Sequence, residues 1–182
     1  MVARKYLGDY RLENREDPRS GKIKTVPVYR GAWFAFAADA NAVRRAKRLY
    51  PILSAVCALL FLLVLLINAP SGHVAYVTLP FAAMIFPLFF CLAGSRRLLT
   101  AKDKVTREHA DKICARFASS SFILALLSAI SAAGHALFWL RSGASALDAL
   151  SFAATAVILI SAAIMFQRRD DLRMKQISNQ SV

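Results

Sequence analysis

Two ionisable residues, His135 and Asp148, lie inside long apolar stretches of this chain. A titratable group is expensive to place in hydrocarbon, so such residues are the first candidates for chemistry. An imidazole and a carboxylate that face each other can relay protons or hold a solute, because imidazole titrates near neutral pH. Together with His73 they offer ligands for zinc or a non-haem metal, yet no HxxxH or HExxH spacing accompanies them. The structural alternative is that Asp148 caps a helix or pairs with Arg141, while His135 snorkels towards water. Asn68, His73, Tyr76 and Arg141 fall near the same ends of the apolar runs and complete the candidate cluster.

The elements that must position this cluster are the apolar runs 51–69, 74–93, 119–140 and 145–166. A stretch of about 20 residues rising about 1.5 Å per residue crosses a hydrocarbon core of roughly 30 Å, so each run is long enough to span. The third carries His135 and the fourth Asp148, and the short Arg141-Ser142-Gly143-Ala144 turn sets them at similar depth. The first run is Leu-rich and the second carries Pro80 and Pro87, which predict a bend because each proline frees a backbone carbonyl. Small residues mark the last two: Ser128, Ala132 and Gly134 on one, Ala149, Ala153 and Ala156 on the other. Such residues let helices approach closely, which predicts that this pair packs most tightly.

Orientation follows from the loops. Twelve Lys and Arg residues precede the first run, none lies between the first and second, seven lie between the second and third, one in the last turn and four in the tail. The positive-inside rule then places both termini and the central loop in the cytoplasm of a cell-membrane protein, with two short hairpins outside. The net charge of +13 is thereby explained by topology and by contact with anionic headgroups, and no nucleic-acid partner is expected. Nothing in the first forty residues resembles a cleavable signal, so the first span is expected to serve as its own. Cys57, Cys91 and Cys114 all fall at or inside the cytoplasmic face, where structural disulfides are not expected.

The cytoplasmic parts divide into segment 1–38, a basic juxtamembrane helix 39–50, a helical extension 100–118 and a tail 167–182. In the first, alternation around Tyr10 and Leu12, turn chemistry at Asp17-Pro18-Arg19-Ser20-Gly21 and an extended pattern from Ile23 to Phe36 predict a β-hairpin. Pro27 demotes part of the second strand to an edge. Trp33, Phe34 and Phe36 are expected as interfacial anchors beside Arg44, Arg45, Lys47 and Arg48. Asp39 or Asn41 is predicted to cap the juxtamembrane helix, and Thr100 a helix running from about Ala101 to Leu140.

The expected fold class is therefore an all-α integral membrane four-helix bundle with a small cytoplasmic β-hairpin and cytoplasmic helical extensions. No phosphate-binding glycine loop, CxxC or GxSxG motif is present, no cofactor is implied, and one intramembrane carboxylate cannot serve as both general acid and general base. The expected role is an accessory, scaffold or assembly subunit that meets a protein partner, or further copies of itself, through its basic face. An oligomeric transporter using His135 and Asp148 is the second reading, and a metal-dependent membrane enzyme the third.

Overall fold

The computed structural model describes residues 4–16, 22–143 and 145–177. Its helices are α1 (Ala40–Leu66), α2 (Ala75–Ala83), α3 (Ile85–Thr100), α4 (Arg107–Ser142) and α5 (Ala146–Gln167). With α2 and α3 counted together, these form four helices long and apolar enough to cross a membrane. Asp39 caps α1 by accepting the Ala42 amide at 3.2 Å, and the helix runs on unbroken through Pro51. The proline-bearing run does break. Met84 closes a tight turn onto the Phe81 carbonyl at 3.1 Å, and Pro87, in the first turn of α3, has no N–H to continue the preceding ladder. Pro80 stays inside α2.

The helices close into a ring in which α1 packs on α5 and α3, while α4 packs on α5, α3 and α2. The α4 and α5 pair is the most extensive, as the small residues predicted. Of the small residues expected there, Ser128 and Gly134 are buried, whereas Ala149 and Ala153 are exposed, and on α5 it is Ala154, Thr155, Ile158 and Ala162 that are buried. Helix propensity and small size do not say which way a residue points. Leu59, Leu62, Leu66, Phe86, Leu126, Ile130 and Ile160 stay exposed around the ring, an apolar flank suited to hydrocarbon. Inside, Ser54 and Ser95 share a 2.9 Å hydrogen bond and Phe61 stacks on Phe81 at 4.8 Å.

The end that carries both termini holds five strands. β1 (Tyr10–Glu16) and β2 (Ile23–Tyr29) form the expected antiparallel hairpin, with Leu12 opposite Pro27, while its turn at 17–21 lies outside the described residues. The extended pattern expected as far as Phe36 instead divides. β3 (Trp33–Phe36) leaves the hairpin and becomes the centre of a three-stranded antiparallel sheet, flanked by β4 (Val105–Thr106) and β5 (Met174–Ile177). The structure is thus not purely helical apart from one hairpin. The tail, for which no strand was expected, returns through a 3-10 turn (Arg169–Leu172) to pair with β3.

The same sheet corrects the helix expected from Ala101. Thr100 ends α3, its hydroxyl donating back to the Arg96 and Arg97 carbonyls, and Val105 and Thr106 are strand, so α4 starts at Arg107. Tyr29 then joins the parts. Its hydroxyl donates to the Ala32 carbonyl at 2.6 Å and accepts the Arg107 amide at 3.0 Å, and its ring meets Tyr10 and Trp33 edge-on. Tyr50 does the same deeper down, donating to the Arg168 carbonyl at 2.6 Å and meeting Phe117 edge-on.

Cys114, half-buried in the first turns of α4, donates to the Leu172 carbonyl at 2.7 Å, and burial pushes its thiol up to about 11. At pH 8 only about one such thiol in a thousand is thiolate, against roughly a quarter for an ordinary cysteine. Alkylation of Cys114 at pH 8 should therefore run at least about tenfold slower than for an exposed thiol and accelerate as pH rises towards 11. Peptide-resolved mass spectrometry measures this, and labelling as fast as a model peptide would show that the tail does not cover Cys114.

Candidate functional site

The polar cluster lies at the end of the ring opposite the termini. There α1 and α2 are joined by a 3-10 turn (Pro70–His73), and α4 and α5 by the loop around Gly143. Asp148 stands at the third position of α5 and forms a capping box with Ser145. The Ser145 hydroxyl donates to Asp148 Oδ2 at 2.7 Å and accepts the Asp148 amide at 3.1 Å, while the Ser145 amide donates to Oδ2 at 3.2 Å. The other carboxylate oxygen, Oδ1, accepts the Ser71 amide at 2.9 Å. One side chain thus satisfies the start of α5 and ties the α1–α2 turn to it, which is the capping role foreseen among the alternatives. Arg141 is exposed and makes no hydrogen bond to that carboxylate among the described residues.

His135 does not snorkel. Only 2% of it is exposed, it meets Phe152 edge-on at 6.3 Å between ring centres, and its Nδ1 has no hydrogen-bond partner. Gly134 beside it lies close against α2: a Cβ there would stand 3.1 Å from the Tyr76 carbonyl oxygen, so a side chain would press the two helices apart by a few tenths of an ångström. Ser131 adds a 3.4 Å contact from its hydroxyl to the Val77 carbonyl. His73, by contrast, is exposed and its Nε2 donates to Asn68 Oδ1 at 3.0 Å.

These residues surround a cavity of about 220 Å³ between α1, α2, α4 and α5, lined by Asn68, Ser71, His73, Val77, Phe81, His135 and Ser151. Three buried polar atoms without a partner, Ser71 Oγ, His135 Nδ1 and Ser151 Oγ, belong to this lining. A buried polar group left unpaired costs about 1–3 kcal/mol, and three of them stand on residues that border this one space. No carboxylate group is free in it, and the described residues bring no three His, Cys, Asp or Glu side chains together. Neither Ser71 nor Ser151 stands out in the sequence, because serine is common in turns such as Pro70–His73 and cheap in apolar helices such as α5. Ser151, three residues after Asp148 and hence on its face, was the available signal.

The remaining site residues lie at the other end. Trp33, Phe34 and Phe36 are half-buried in β3, with Phe34 and Phe36 packed against the core. Arg44, Arg45 and Arg48 are exposed along α1, but Lys47 turns inward to donate to the Ala101 carbonyl at 2.7 Å. No family model, curated protein or solved structure matches the chain.

If Asp148 is a cap, its loss is a stability event. Asp148→Ala should cost roughly 2–4 kcal/mol, the sum of a lost cap and an orphaned Ser71 amide, whereas Asp148→Asn, which keeps an acceptor, should cost about half of that. Thermal unfolding of the purified variants reads the difference, and an Ala variant as stable as the parent would remove the capping role.

Proposed function

We propose that this chain is a small multi-pass membrane protein that works without catalysis, as an accessory, scaffold or assembly subunit whose basic end lies on the cytoplasmic side. The observation that supports it best is the sheet β4-β3-β5, in which three segments far apart in sequence are joined into one platform at the basic end. Loops of the length seen at the opposite end would suffice merely to connect the spans. The hairpin docked on it presents apolar side chains outward, with Leu12 75% and Ile23 74% exposed. Large exposed apolar residues on a folded extramembrane surface are suited to a protein partner. The use of Asp148 as a cap also weakens proton-coupled transport, since its carboxylate would have to break three hydrogen bonds to exchange a proton.

Site-specific photocrosslinking in native membranes tests this reading. A crosslinker at Leu12 or Ile23 should capture one and the same neighbour, or a second copy of the chain, while one at Leu140 on the opposite end should not. Purely monomeric protein with no adduct at either hairpin position would overturn it.

A second reading, passage or binding of a small solute, is favoured by the three unpartnered polar atoms around the far-end cavity. Its test is uptake of glycerol and urea, small neutral hydrogen-bonding probes, into proteoliposomes. Flux that falls at least fivefold in Ser151→Ala and His135→Leu would support it, and flux no greater than in protein-free vesicles would remove it.

A further inference from the structure

At the basic end, α3 and α4 separate above a groove of about 130 Å³ lined by Phe89, Phe90, Gly94, Arg97, Lys112 and Arg116. Its shape depends on Gly94. A Cβ at that position would stand 2.8 Å from Phe117 Cδ2, so the Phe117 ring of α4 packs directly on the bare backbone of α3. Arg97 follows Gly94 by one helical turn and Arg116 precedes Phe117, so this contact brings both guanidinium groups to one rim.

Charge and surroundings separate the three basic residues. Lys112 is ion-paired with Glu108 one turn away on α4, so its charge is already matched. Arg97 and Arg116 have no carboxylate partner among the described residues, and the Arg116 guanidinium lies 6.0 Å from the Phe90 ring centre. Just below the rim, Phe89 and Phe90 are 65% and 41% exposed, on the apolar flank of α3. The groove therefore offers two unmatched guanidinium groups above two outward-facing aromatic rings, open sideways to whatever covers the flank.

We propose that this groove is a binding site for an anionic phospholipid, with the headgroup phosphate held between Arg97 and Arg116 and an acyl chain against Phe89 and Phe90. The proposal rests on the membrane reading of the spans but not on the subunit reading. A guanidinium presents paired N–H donors that match two phosphate oxygens, which a lysine ammonium does not. A free anion would use the arginines and leave the rings idle, whereas a lipid uses both halves. Arg97 also lines an adjoining groove with Arg96 and Thr100, so the cationic rim continues along α3 for a larger anionic headgroup.

The experiment is native mass spectrometry of the full-length protein in detergent, titrated with phosphatidylglycerol or phosphatidylcholine. The site predicts at least one phosphatidylglycerol retained per protein at activation energies that strip phosphatidylcholine, with retention reduced at least fivefold in the Arg97→Ala/Arg116→Ala double variant. Lys102→Ala/Lys104→Ala removes the same charge from the exposed segment between α3 and β4 and should leave retention within twofold of the parent. Circular dichroism confirms that both variants are folded. Equal loss in the two double variants would show unspecific attraction and overturn the proposal, as would equal retention of the two lipids. Displacement of the lipid by millimolar inorganic phosphate would assign the groove to a free anion instead.

Discussion

The pairing of β3 with β4 on one edge and β5 on the other constrains everything else in this fold. A strand before the first span, a strand between the second and third, and a strand after the fourth can meet only at one end of the molecule. That requires an even number of crossings between each pair, which the four apolar helices supply. Backbone hydrogen bonds therefore hold the segments before α1, between α3 and α4 and after α5 at one end of the molecule. Local geometry depends on the same sheet: the start of α4, the burial of Cys114 under Leu172 and the inward turn of Lys47 towards Ala101 all occur beside it.

The two ends of the molecule solve the problem of unsatisfied backbone differently. At the far end there is little chain, so one carboxylate serves both the α5 amides and the Ser71 amide of the neighbouring turn. At the basic end, where chain is abundant, strands and tyrosine hydroxyls take the same load, with Tyr29 closing the start of α4 and Tyr50 receiving the end of α5. The Asp148 carboxylate is thereby committed to structure, and the unpaired groups bordering the far-end cavity, on Ser71, His135 and Ser151, are hydroxyls and an imidazole. This division underlies the placing of partner binding at the basic end and of any solute chemistry at the far end.

What could be read in the sequence was whatever is encoded locally. The four spans follow from uninterrupted apolar runs, the α2–α3 break from Pro80 and Pro87, the hairpin from alternation around Tyr10, and the α1 cap from Asp39. The sheet was hidden because its members are two or four residues long and their pairing is non-local: Val105-Thr106 carries no periodic signal, and charges around it imitate a solvated helix. The direction of small residues was hidden too: Ala149 and Ala153 are exposed, while Ala154 and Ala162 on the same helix are buried. At the candidate site, Asp148 was legible as a cap from the Ser145 three residues earlier, whereas His135 is buried beside the close approach of Gly134 to Tyr76, a contact between distant segments.

The sheet is the most direct point at which to test this account. Phe34 and Gln176 are directly opposed across β3 and β5, so cysteines at both positions stand at a separation that a disulfide can bridge. In membranes from cells making the Phe34→Cys/Gln176→Cys protein, mild oxidation should close this bond within one chain, and far less in the Phe34→Cys/Lys175→Cys pair, which is one residue out of register. If both thiols of the in-register pair stayed free to react with a maleimide under oxidation, the two segments would not share one end of the molecule, and the platform on which the proposed function rests would not exist.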